Sequence, residues 1–510
     1  MFPPGAFGVG LTVAELHPAL GEDVVLPPGV VARPSRLGEL LQVDLMTAEQ
    51  KASQLRRVEE AEAVLAAFKA ELVLGLAADR PASGDRQRGQ VGAASGEWAA
   101  QLLDADVSEF FPDELALILN CSRAAATQLW ERSTTLLRRL PATWAALADG
   151  WLDWPRARAI AAELGWPARE STDDVLATVE AVVLPQAAGL SITRLRALVR
   201  AELIKADPAA ADRRRKRAER DTDVTVRGIG DGMGELRATM PFPELAAMRA
   251  EVDAHARALK KAGDERPIGQ LRAATLHGLV TRPWQERPAV SAHVEVVAAL
   301  ETLESAAAGA PGAGREPVLV DGEPVTAALA RELLERLDAL CPGGLQPPTD
   351  GTLSIAITDR DGRLLAAVTR RELETAVRRR EGLGPPPAVD RYEPTPAQRR
   401  YGRTRDRTCR HPGCGNRAGW ADLDHVVAHA DGGETDCANL CCLCRRHHRL
   451  KTHARGWRYA MTCDGVLTVT TPSGVTRVSR PPGVRAENCT VLRVTAERPP
   501  PTNEDEPAPF

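Results

Sequence analysis

The sequence predicts a mainly α protein: a large helical N-terminal region with minor β content, then a small C-terminal module rich in Cys and His. Three observations carry this expectation. Aromatic residues are only 4% against 44% hydrophobics, so the core is built largely from Ala, Leu and Val, which favours helices. Between residues 47 and 281, apolar positions recur near a 3.6-residue period between Pro and Gly breaks. Finally, residues 399–458 hold six of the ten cysteines and six of the ten histidines. That clustering points to metal before it points to disulfides.

Each element follows from local chemistry. Residues 1–45 are rich in Pro and Gly and read as a poorly ordered arm. From Thr47 to Asp79, Leu55, Val58, Ala61, Ala66 and Leu72 repeat with helical spacing behind a Thr47-x-x-Gln50 cap. A Ser/Gly/Arg loop fills 81–94. Several helices follow to residue 206, punctuated by Pro112, Pro141, Gly150, Pro155, Gly165, Pro167 and Pro185. Short β segments at 222–240 turn at glycines, and helices are predicted at 242–262 and 268–281. These elements make a helical domain over 46–304. A small-residue linker at 305–314 opens a smaller α+β extension (305–381), with a helix at 325–340, a hairpin at 352–368 and a helix at 370–380. A Pro-rich linker (382–396) precedes the Cys/His module (397–458). A short β segment (459–480) and a disordered Pro-rich tail (481–510) close the chain.

The chain is 510 residues long, about three domains at roughly 150 residues each, and needs no disulfides in place of a core. Its formal net charge is −4, which excludes a uniformly basic nucleic-acid coat but not a local patch. Residues 399–458 carry 13 Lys/Arg against 6 Asp/Glu, a local +7. The first Lys or Arg is Arg33 and no run of about 18 apolar residues occurs, so a cytoplasmic chain with no membrane partner is expected. Arg outnumbers Lys heavily, as a GC-rich genome would produce, which weakens any argument from arginine runs alone.

The phrase Cys409-Arg-His-Pro-Gly-Cys414 is a C-x4-C knuckle whose Pro-Gly makes the tight turn. Cys444-Arg-Arg-His447 offers a C-x2-H partner pair. Two close pairs of thiolate and imidazole ligands separated by a loop suit a closed tetrahedral Zn2+. Cys441 and Cys444 also make a C-x2-C, so Cys441 is an alternative to His447 as fourth ligand.

Between those pairs lie Asp424-His425, Asp431-Gly432-Gly433, Asn439 and, just beyond, His448. This constellation resembles the HNH (ββα-metal) endonuclease motif. The phrases C-x-x-P-G-C and L-C-x-x-H-H, with L-P-A-T-W-A-A-L-A-D-G-W (140–151) and D-G-M-G-E-L-R-A (231–238), resemble the actinobacterial HNH proteins that carry an N-terminal helical domain of unknown function, of the type numbered 222. The nuclease resemblance covers about 397–458; the helical one covers about 45–380 and carries no activity. It departs from the motif twice: Val426-Val427-Ala428-His429 stands where Pro often follows, and Thr452 stands where a further histidine would fall.

The resemblance implies a metal-dependent DNA endonuclease. His425 would deprotonate water as general base. Asp424 and His448 would hold a Mg2+ or Mn2+ ion distinct from the zinc, and Asn439 would fix the loop that aims His425. Arg405, Arg445, Arg446, Arg449 and Lys451 would contact DNA phosphates. The adjacent histidines 447 and 448 point about 100° apart on a helix and so can serve different ions. Two other readings compete: a non-catalytic nucleic-acid-binding protein, and a transcriptional regulator using residues 114–130 as a helix-turn-helix. Plain bundle packing is the simpler account of those helices. The run Arg213–Arg217 is read as a solvated face.

Overall fold

The computed structural model describes residues 43–93, 104–281, 318–336 and 354–484, apart from residues 88, 91, 231, 321, 322, 360 and 361, with the short pieces 296–297, 340–341 and 344–345. The expected linker at 305–314, nearly all of the N-terminal arm and most of the C-terminal tail lie outside those residues.

The helical part begins with α1 (Ala48–Ala78). Its capping box forms as the sequence predicts: Gln50 N donates to Thr47 Oγ1 at 3.2 Å, and Thr47 N to Gln50 Oε1 at 2.8 Å. α1 buries Ala63, Ala67, Ala70, Val73 and Ala77, a mostly small-residue stripe that lets its neighbours approach closely. Then come α2 (Phe111–Leu119), α3 (Arg123–Arg139), α4 (Pro141–Ala148), α5 (Trp154–Leu164), α6 (Asp173–Ala187) and α7 (Ile192–Ala206). Proline sits in the first turn of α2, α4 and α5, where its missing N–H costs nothing. Leu136, Leu140, Leu147, Ile160, Leu164, Leu176, Val183, Leu195 and Val199 pack as one core.

α8 (Pro208–Arg220) carries the basic run. Arg213 and Arg217 pair with Glu170 and Arg215 with Glu219, as a solvated face would. β1 (Asp223–Gly230) and β2 (Met233–Thr239) form an antiparallel hairpin turning through Gly230 and Gly232, both at positive φ. Next are α9 (Phe242–Lys261), α10 (Ile268–Thr281), the antiparallel group β3 (Val296–Val297), β4 (Val318–Val320) and β5 (Glu323–Val325), α11 (Ala327–Arg336), and the pair β6 (Leu340–Cys341) and β7 (Gly344–Leu345).

The C-terminal part starts with the pair β8 (Ser354–Thr358) and β9 (Leu364–Thr369), then α12 (Arg370–Arg379) and α13 (Pro396–Asp406). β10 (Asp422–His425) pairs antiparallel with β11 (Leu440–Leu443), placing Asp424 opposite Cys441 and His425 opposite Leu440. α14 (Arg445–His453) follows at once, and β12 (Arg458–Met461), β13 (Leu467–Thr470) and β14 (Thr476–Ser479) form an antiparallel sheet.

Three expected boundaries are not gaps in the packing. Leu467 and Val469 of the last sheet share a core with Cys409, Cys441, Leu443 and Cys444, so residues 459–480 close the Cys/His module. The module is too short to cover its own strand pair and uses this sheet instead. The Pro-rich stretch is pinned: Val389 N donates to Thr435 O at 3.1 Å, and Gln398 Nε2 donates to Pro387 O and Thr435 O. Leu364 and Ala367 of β9 pack on Tyr401 and Cys437, which ties that part of 305–381 to the module. Leu117 of α2 also lies in the module's core, so the helical part docks directly on it. α2 is buried from Phe111 to Leu117: Phe111, Leu115 and Ala116 pack on Val73 and Ala77 of α1 and Trp130 of α3, as plain bundle packing of residues 114–130 would have it, while Leu117 and Asp113 face the module.

Candidate functional site

The knuckle, the start of α14 and α2 meet at one point. Ligand atoms of Cys409, Cys414, Cys444 and His447 all lie within 4.8 Å of one another. Tetrahedral zinc with bonds of about 2.3 Å spaces its sulfurs by roughly 3.8 Å, so the donor set fits, and the cluster could hold a metal ion such as zinc. The knuckle closes as a turn: Cys414 N donates to His411 O at 3.0 Å, with Gly413 at φ 78°. Cys444 caps α14, which places His447 one turn in. His447 Nδ1 lies 3.4 Å from Cys409 Sγ and 3.2 Å from Cys444 Sγ. Hydrogen bonds from Cys409, Cys414 and His447 hold the Cys444 thiol well below the usual thiol range.

Cys441 does not join the cluster. It is fully buried on β11 among Leu117, Leu443 and Val469, and burial pushes its thiol up to about 12. The geometry therefore places His447, and not Cys441, with the other three.

The opposite ring nitrogen of His447 faces a residue that spacing does not reveal. Nε2 lies 3.3 Å from Asp113 Oδ1, on α2 of the helical part. The Asp113 side chain is fully buried and is also gripped by Arg446 through Nε and Nη2. Burial alone would raise its pKa, but Arg446 and His447 override this and hold the carboxyl well below the usual range. His411 stacks on His447 with ring centres 3.9 Å apart and meets Tyr459 Oη at 3.0 Å.

A second constellation forms on the outer side of α14. His448 Nδ1 lies 3.0 Å from Asp422 Oδ2, and His448 Nε2 lies 3.4 Å from Asp424 Oδ1. The two adjacent histidines thus face different partners, as helix geometry requires. Asp422 was legible in principle: it is two residues before Asp424, on the same strand face. Lys451 Nζ lies 3.0 Å from Asp424 Oδ2 and donates to His425 O. Thr452 turns back to His448 O.

His425 is buried on the other strand face. Its Nε2 lies 2.8 Å from Thr435 Oγ1, and that hydroxyl donates to Arg391 O. The hydroxyl proton is therefore used, so His425 Nε2 carries the hydrogen and Nδ1 keeps its lone pair. Tyr392 stacks on the ring at 5.5 Å. Burial lowers the His425 pKa, partly opposed by the Asp424 carboxylate.

Asn439 lies in the connection between β10 and β11. It ties both ends of the intervening loop: Oδ1 accepts from Val427 N at 2.9 Å, and Nδ2 donates to Val427 O at 3.0 Å and Glu434 O at 2.9 Å. Gly433 makes this possible, since a Cβ there would collide with Val427 O and crowd Asn439 Nδ2.

The expected DNA contacts need correction. Arg405 is buried, bonded to Asp406 and to the carbonyls of Cys437 and Leu440, where it clamps the end of β11. Arg446 belongs to Asp113. Arg449 is bonded to Glu109 and Gly92 O, and Lys451 to the Asp424 carboxylate. Of the five, only Arg445 is largely exposed, at 81% of its side chain, 3.8 Å from Asp422.

Comparison with known proteins gives the family. The model of DUF222, a domain of unknown function, matches residues 53–338, more than half of the chain. The chain belongs to the DUF222 family. The match stops short of the Cys/His module of this DUF222 protein. Two proteins of Mycobacterium tuberculosis (strain ATCC 25618 / H37Rv) are similar to it over shorter stretches. Uncharacterized protein Rv3776 is 41% identical over 90 residues, 18% of this chain and 17% of the relative. Uncharacterized protein Rv2100 is 41% identical over 112 residues, 22% of this chain and 20% of the relative. The DUF222 chain thus spans about a fifth of the length of these relatives. No solved structure matches it. Among the described residues, no helix is long and apolar enough to cross a membrane.

Proposed function

We propose that this chain is a metal-dependent endonuclease that hydrolyses DNA phosphodiester bonds through an HNH-type site, with a separate structural zinc. The observation that carries the reading is the facing pair His448 Nε2 and Asp424 Oδ1, 3.4 Å apart, with His448 fixed from behind by Asp422. If Nδ1–H donates to Asp422, Nε2 presents its lone pair to the same point as the Asp424 carboxylate. Two protein ligands completed by water suit Mg2+ or Mn2+. Such an ion supplies Lewis acidity at the scissile phosphate and stabilises the leaving 3′-oxygen.

The chain's own residues do the rest. His425 takes the proton of the attacking water at Nδ1, because Thr435 holds Nε2–H in place. Asn439 holds the loop between the strands so that His425 keeps its aim. Arg445 offers charge to the DNA backbone from the exposed side of α14. One contact favours the non-catalytic alternative: the Lys451 ammonium lies 3.0 Å from Asp424 Oδ2, on the carboxylate that the divalent ion would use. Plasmid incubated with purified protein and Mg2+ or Mn2+ separates the two. Nicking that EDTA abolishes supports the nuclease, whereas retardation of plasmid without nicking in either metal supports the binding module.

A further inference from the structure

We propose that Asp113 of the helical domain is a positioning residue for the zinc site, so that metal binding and docking of the two parts of the chain are coupled. Three observations lead there. His447 offers its Nδ1 to the thiol cluster, so a metal-bound ring must carry its proton on Nε2. The acceptor for that proton is Asp113 Oδ1 at 3.3 Å, with the carboxylate fully buried and held by Arg446. And Asp113 arrives on α2, whose Leu117 packs in the module's core beside Cys409 and Cys444.

A carboxylate behind a metal-bound imidazole fixes its tautomer and orientation and raises its basicity. Here the partner lies 334 residues away in sequence and is present only while α2 is docked. Coupling is reciprocal: whatever docking adds to zinc affinity, zinc adds to docking. Other contacts keep α2 in place independently, including Arg449 with Glu109 and Arg477 Nε donating to Leu117 O. The metal therefore reinforces a contact that exists without it.

The inference rests on the zinc part of the proposed function and not on nuclease activity, and its test reads metal affinity. The full-length chain is loaded with Zn2+, and its dissociation constant is measured by competition with a chromophoric chelator. Asp113→Asn keeps the shape and removes the charge; a loss of 10–100-fold is expected, the range for outer partners of metal ligands. Arg446→Gln cuts the same ion cluster but leaves the Asp113–His447 contact, and zinc affinity within about threefold of wild type is expected. An unchanged affinity in Asp113→Asn, or an equal loss in both variants, overturns the proposal. Should Asp113→Asn fail to fold, 15N NMR of histidine-labelled wild-type protein decides. The His447 Nδ1 signal should shift as metal-bound and Nε2 should bear a slowly exchanging proton; Nε2 as the metal-bound nitrogen overturns it. Wild-type protein that takes up no zinc at all ends the zinc reading and this inference together. Zinc-loaded protein that cleaves no DNA leaves the inference standing.

Discussion

Two adjacent arginines on α14 should behave as opposites. Arg446 keeps 11% of its side chain exposed and Arg445 81%. Arg446 makes three hydrogen bonds to the buried Asp113 carboxylate and a fourth to Glu109 O. Breaking a buried pair by removing one partner costs about 3–5 kcal/mol. Because Arg123 lies 3.5 Å from Asp113 and His447 remains, the low end, about 3 kcal/mol, is expected for Arg446→Ala. Arg445→Ala loses one exposed contact and should stay within about 0.5 kcal/mol of wild type. Urea unfolding of the zinc-loaded protein reads the first effect, as a lower midpoint at unchanged slope. Salt-dependent DNA binding reads the second: Arg445→Ala should reduce the slope of log K against log salt by about one, and Arg446→Ala should leave it unchanged. Arg446→Ala protein with wild-type stability and a reduced salt slope would refute the assignment of Arg446 to the domain contact.

Four further outcomes are expected. Cys409→Ser or Cys414→Ser should lose zinc and unfold the C-terminal module, read by elemental analysis and circular dichroism, because ligand binding there is folding energy. His448→Ala should keep zinc and a wild-type melting temperature yet lose cleavage, with partial recovery in excess Mn2+; equal zinc loss in His447→Ala and His448→Ala would contradict the division into two sites. Cys441→Ser should keep its full zinc content, since Cys441 lies in the apolar core and outside the cluster. Gly433→Ala should destabilise the loop between β10 and β11 by about 1–3 kcal/mol, seen as faster amide exchange at Val427 and a fall in cleavage rate.

The sequence made the helical pattern, the Thr47 cap, the strand pair's flanking ligands and the four-residue cluster legible, because each depends on short spacing. Turn chemistry at Pro412-Gly413 and a one-turn offset from Cys444 to His447 are local facts. Asp113 and Thr435 were not legible, since each reaches its histidine across the fold from a position no spacing rule marks. The arginines misled for the same reason. On a short helix rich in basic residues, exposure looks uniform in sequence, yet Glu109, just before α2, and Asp113 of α2 claim Arg449 and Arg446. Arg405 likewise sits where the carbonyls of Cys437 and Leu440 converge, a demand set by the end of β11 and invisible upstream. Residues 459–480 read in sequence as a separate β segment, because nothing local shows that Tyr459 and Met461 of β12 and Leu467 and Val469 of β13 pack with the module's cysteines.

The proposed nuclease function rests on His425 taking a proton from water at a site distinct from the zinc cluster. Supercoiled plasmid incubated in Mg2+ or Mn2+ with wild-type protein and with His425→Ala tests it most directly, with zinc content and plasmid affinity measured on the same samples. EDTA-sensitive nicking by wild type and none by His425→Ala is expected, at equal zinc content and nearly equal DNA affinity. Nicking by His425→Ala at the wild-type rate, or a wild-type protein inert in both metals, would contradict it.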